Sequence, residues 1–156
     1  MSRSLRAFLP VAGATDALRE VFADDPSTWL PNARRAGGPL WQVRLRGAGV
    51  ERDVRLEIGS PWRSGATAWR SISWDPAGDD GATVDRLLPS FDGELGLHDA
   101  SGHATLLLDG RYDPPGGGLG SALDALGLQR VARGTVERLL AEIGAQLSSA
   151  ALLART

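Results

Sequence analysis

Between Leu128 and Leu147 the chain carries one stripe at helical spacing: Leu128, Val131, Ala132, Thr135, Val136, Leu139, Leu140, Ile143 and Leu147. Arg130, Arg133, Glu137, Arg138 and Glu142 fall outside it. The spacing predicts a long amphipathic helix. It starts at Ser121 behind the Pro/Gly run from Pro114 to Gly120, is open to a break near Gly127, and ends at about Ser149. A stripe of that length must be covered, so whatever precedes it has to present a matching apolar face.

The preceding residues alternate as strands do. Trp41, Val43 and Leu45 share one face against Gln42, Arg44 and Arg46; Val54, Leu56 and Ile58 share one against Asp53, Arg55 and Glu57. Folded as a hairpin, Arg44 meets Asp53, Arg46 meets Glu51, Val43 meets Val54 and Trp41 meets Leu56, so charge and apolar pairing agree on one register. A further strand is expected from Ala66 to Asp75, with Ala68, Ile72 and Trp74 on one side, Trp69 on the other, and Arg70 among the apolar set. A second hairpin follows, Phe91 to Leu97 and Ala104 to Tyr112, turning at Asp99–Gly102 and pairing Leu95 with Leu106. Ahead of these lie a strand from Ser4 to Val11 closed by Pro10 and Gly13, and a helix capped by Thr15 or Asp16. One helical turn at Ser27–Leu30 and a polar loop from Asn32 to Gly38 complete the chain. The expected fold is α+β of the helix-grip type, a curved antiparallel sheet around a long C-terminal helix, with two short helices after the first strand. At 156 residues it is expected as one domain, 1–156.

With no cysteine there are no disulfides or thiolate metal sites, and with no lysine there is no Schiff base or P-loop lysine. The net charge is −2 and arginines alternate with acids, which disfavours nucleic acid as a partner. No apolar run approaches the about 20 residues a membrane span needs, and residues 1–10 lack the apolar core of a signal peptide. A soluble cytoplasmic protein is the expectation.

Asp25-Pro26, Trp29-Leu30-Pro31, Trp69-Arg70, Trp74, Leu88-Pro89 and Phe91–Leu97 carry a family resemblance, together with Leu108-Asp109-Gly110-Arg111-Tyr112-Asp113-Pro114-Pro115 and then Gly117, Gly120, Asp124 and Val131-Ala132. In these the chain resembles the SRPBCC superfamily, the helix-grip proteins related to START domains, Bet v 1-like proteins and polyketide cyclases. The Gly-x-Tyr-x-Pro-Pro segment looks like that of a bacterial branch. The resemblance implies an apolar cavity between sheet and long helix, of the kind that binds lipids, sterols, hormones or polyketides and in a minority of members catalyses. It carries over no catalytic residue set and no cofactor.

Each candidate site has a plainer reading beside it. His98 and His103, set opposite each other by the expected register, lack further metal ligands and read as a solvated pair. Gly116–Gly120 lies where phosphate loops lie but lacks the Gly-Lys-Ser/Thr ending, and reads as a turn with a weaker gating role. The five tryptophans and Phe91 line a cavity or fill a core. Arg70 must be paired, touch a polar ligand group, or sit near the sheet edge. The expected ligand-binding wall is Trp29, Trp41, Val43, Leu56, Arg70, Ile72, Trp74, Phe91, Leu106, Leu108, Tyr112, Val136 and Leu140, with Gly78–Gly81 and Pro114–Gly120 flexing to admit a ligand. Three functions stay open. One is binding of a small apolar or amphipathic molecule. Another is a cyclase or dehydratase using Arg70, Asp109 or Tyr112, without cofactor or metal. The third is a filled-core domain that binds another protein, a homodimer included.

Overall fold

Charge and apolar pairing set the central hairpin of the computed structural model, which describes residues 3–47, 50–75, 90–113 and 125–154. Strand β3 (Leu40–Gly47) pairs with β4 (Val50–Ile58), Arg44 on Asp53, Arg46 on Glu51, Val43 on Val54 and Trp41 on Leu56, the expected register throughout. Around it stand β1 (Arg3–Val11), β2 (Arg34–Gly37), β5 (Trp62–Ser64), β6 (Thr67–Asp75), β7 (Ser90–Ala100) and β8 (His103–Asp113). All pairings are antiparallel, in the order β1-β8-β7-β6-β4-β3-β2, with β5 on β6 beside that path. Helix α1 (Thr15–Ala23), a 3₁₀ turn (Pro26–Thr28) and helix α2 (Ala125–Ala154) complete the fold.

Helix α2 covers the inner face. Ala132, Thr135, Val136, Leu139, Leu140, Ile143 and Leu147 are buried, as the stripe requires, and α2 meets β1, β3, β8 and α1. It passes Gly127 without a break and continues beyond Ser149 to Ala154. At Gly144 an added Cβ would stand 2.8 Å from Leu9 Cδ2, so the missing side chain lets the helix settle close on β1.

Several expectations are corrected. β1 runs through Pro10, which faces Thr105, because β1 is an edge strand and one of its rims needs no ladder donor. α1 begins after Ala14, with no side-chain cap from Thr15 or Asp16. The segment expected as a loop from Asn32 to Gly38 contains β2, and β5 has no counterpart among the expected strands. The β7–β8 turn has only two central residues, Ser101 (φ 54°) and Gly102 (φ 80°), both left-handed as a tight hairpin turn demands. Ala100 therefore closes on His103, Leu95 pairs with Leu108 and Leu97 with Leu106; His98 faces Thr105 instead of His103.

Candidate functional site

Strand alternation and register lay the inner face out in rows. One row crosses six strands: Arg35, Trp41, Leu56, Trp74, Phe91 and Tyr112 are successive cross-strand partners. From Trp41 to Tyr112 every member is buried. Trp74 and Phe91 stack with ring centroids 4.7 Å apart, and the Arg35 guanidinium lies 4.6 Å from the Trp41 ring centroid. The result is an aromatic belt across the sheet. The next row is Ile58, Ile72, Gly93, Gly110 and Leu5. Its two glycines face each other closely: a Cβ on Gly93 would lie 2.3 Å from the Asp109 carbonyl oxygen and 2.6 Å from Gly110 Cα. A Cβ on Gly110 would lie 2.7 Å from Phe91 Cζ, so the phenyl ring occupies the space that Gly110 leaves. Beyond them lie Arg70, Leu95, Leu108 and Ala7, then Ala68, Leu97, Leu106 and Leu9.

All thirteen residues expected to form the wall are buried. The tryptophans divide. Trp29, Trp41 and Trp74 are buried, whereas Trp69 lies on the outer face over Gly96 and Trp62 is 41% exposed. On that outer face Phe8, Leu107, Gly96, Trp69 and Trp62 are in turn cross-strand partners.

Arg70 is on β6, between β4 and β7, so the sheet-edge reading is set aside. Its side chain is buried and its fork is answered by backbone: Nε donates to the Phe22 carbonyl at 2.9 Å, Nη1 to Gly59 at 2.9 Å and Nη2 to Asp24 at 2.7 Å. Two of these carbonyls lie at the C-terminal end of α1. Arg70 thereby ties that end of the helix to the sheet, and its guanidinium lies 5.9 Å from the Phe22 ring centroid and 5.6 Å from that of Trp29. Burial lowers its pKa, while Asp25 and Asp24 oppose the shift.

Trp29 has no exposed surface and stacks on Phe22 at 5.5 Å. Its indole Nε1 is a buried donor without an acceptor. Composition and spacing give no hint of that, because it depends on how the 3₁₀ turn seats the ring. Asp25 shapes this junction: its Oδ1 accepts from Ser27 N at 2.9 Å and its other oxygen meets Arg35. The Ser27 hydrogen bonds and Arg35 hold its carboxyl down at about 2.

Other candidates lie elsewhere. Asp109 points to the outer face and pairs with Arg6 at 3.2 Å, which removes it from any interior chemistry. His98 Nδ1 meets Thr67 Oγ1 at 2.8 Å, and His103 is exposed. Among the described residues no three His, Asp or Glu side chains converge as metal ligands. Gly78–Gly81 and Pro114–Gly120, expected to flex, lie outside the described residues. The hollows lined by described residues include three on the outer, polar face, the largest about 490 Å3 beside Arg34, Arg44 and Arg46. In the sequence those arginines read only as a wet strand face and a loop.

No protein-family model matches the chain, and no curated protein matches it. Solved structures do. A protein of Thermus thermophilus, TTHA0849, superposes with a TM-score of 0.60 at 14% identity, over 95% of this chain and 99% of that one. The ZhuI aromatase/cyclase of Streptomyces sp. R1128 gives 0.52 at 14% identity, over 97% and 94%. Human STARD10 gives 0.52 at 13% identity, over 96% of this chain and 63% of its own. With a curved antiparallel sheet gripping a long C-terminal helix, the chain has the helix-grip fold that these structures share.

Proposed function

We propose that the protein binds a small amphipathic molecule between the inner sheet face and α2. The observation that carries this reading is the belt from Trp41 to Tyr112, which offers flat, polarisable surface on four strands in one row. The same fold is used by human STARD10 and by an aromatase/cyclase. The Trp29 indole N–H supplies the polar end: a buried donor gains most from an acceptor oxygen, so a ligand with a carbonyl or carboxylate suits it better than a hydrocarbon. Action in the cytoplasm belongs to the same proposal. The Arg70 fork serves here as a wall support, since its hydrogen bonds go to carbonyls of the chain itself.

Native mass spectrometry of protein purified from its own source is the direct test, with a retained small molecule as the expected result. Fatty acids, sterols and aromatic polyketides should in turn quench or shift tryptophan emission. An experimental structure with no interior void larger than a water, some tens of Å3, would overturn binding and favour a filled core that acts on another protein.

A cyclase-type activity is the second reading, favoured by the buried phenol of Tyr112 at the end of the belt and by the aromatase/cyclase likeness. Turnover of a poly-β-ketone thioester mimic, lost in Tyr112→Phe while binding persists, would select it.

A further inference from the structure

On the opposite face of the sheet, β2, β3 and β4 form a hollow of about 490 Å3 whose lining includes Arg34, Gln42, Arg44, Arg46 and Asp53. The acids beside these arginines engage them mainly through Nε. Arg44 Nε donates to Asp53 Oδ1 at 3.3 Å, and Arg46 Nε stands 2.7 Å from Glu51 Oε1. The remaining contact, Arg44 Nη1 to Glu51 Oε2, is 3.7 Å and too long for a hydrogen bond. Asp53 also receives the Gln42 amide at 3.0 Å, which fixes that side chain next to the fork. Among the described residues, two guanidinium groups are thus held by their stems, with no acceptor within hydrogen-bond distance of their terminal N–H groups. Arg34 faces Gln42 across the β2–β3 ladder and has no acidic partner among the described residues. Among the described residues here, three guanidinium groups meet two carboxylates, and one positive charge is left over.

Planar forks held in position match a tetrahedral oxyanion, which accepts paired N–H donors along its edges. We infer that this outer hollow binds a phosphoryl group, carried by a soluble phosphate compound or by a lipid headgroup. The site is separate from the inner face and stands or falls without the interior ligand. Its recognition is electrostatic, so affinity falls as salt rises.

The test is calorimetric titration of the whole chain with inorganic pyrophosphate at low salt. One saturable site per chain is expected. Arg34→Gln and Arg46→Gln should each weaken binding about tenfold or more, as for loss of one charge-assisted contact. Arg63→Gln, an exposed arginine on β5, should leave it unchanged. Cosedimentation with phosphatidylcholine vesicles, with and without phosphatidic acid, separates the sources. Retention that needs phosphatidic acid and is lost in Arg34→Gln assigns the headgroup; pyrophosphate binding without retention assigns a soluble ligand. Absence of saturable binding, equal weakening by Arg63→Gln, or displacement of pyrophosphate by citrate at equal concentration overturns the inference.

Discussion

Replacing Arg70 with Met would leave the carbonyls of Phe22, Asp24 and Gly59 without their donor in a poorly hydrated place. The expected loss is about 3 kcal/mol or more, measured by urea unfolding, since stranded buried acceptors cost more than a formed bond gains. Arg70→Lys should recover little, because an ammonium cannot reproduce the planar fork that reaches three separate carbonyls. Asp25 gives the junction a pH dependence of definite sign. Its folded pKa, about 2, lies below the ordinary 3.8. Its contribution is therefore complete above the ordinary value and disappears as pH falls through the folded one. Carboxyl NMR titration should find this low midpoint, and Asp25→Asn should abolish that part of the acid dependence. The sequence shows that Arg70 needs an answer but not what answers it, since backbone carbonyls carry no residue signature.

Helix α2 provides the test of how the layers meet. Leu140→Ala should cost about 2–5 kcal/mol in denaturant unfolding, as for a fully enclosed leucine. Gly134 lies on the same helix with no atom within 4 Å of an added Cβ, and it is exposed. Gly134→Ala should therefore raise stability by about 0.5–1 kcal/mol, through helix propensity alone; an unchanged melting midpoint would count against a regular helix there. Which elements are legible follows from which have two unlike faces. β3 and β4 set charges against charges and apolar residues against apolar ones, so only one register satisfies both. β2 and β5 have every residue exposed, and without a buried face they leave no alternation to read. The β7–β8 register differs by two residues from the expected one, because it hangs on the left-handed φ of Ser101, a residue with no strong preference for that region.

Across the whole molecule, the buried residues of the inner face are legible because burial alternates along each strand, whereas the order of strands is not, since periodicity says nothing of which strand lies beside which. The Gly93–Gly110 contact shows the same limit: two glycines in separate strands become a feature only once they face each other. Gly93→Ala should cost about 1–3 kcal/mol by forcing the backbones of β7 and β8 apart. Under the proposed interior binding it should also alter the affinity for whichever fatty acid, sterol or aromatic polyketide binds, beyond what the stability loss explains, read by tryptophan fluorescence. The strand order has a further consequence, in time rather than in space. β1 leaves the ribosome well before β8, its ladder partner, with Val11 on Ala104 and Arg3 on Tyr112. At ordinary elongation rates the N-terminal strand waits roughly 5–20 s for that partner. Through this interval Leu5, Ala7, Leu9 and Val11 have neither sheet nor helix to cover them. Nascent chains stalled before His103 should therefore leave β1 open to protease, and protection should arrive only after β8 has emerged.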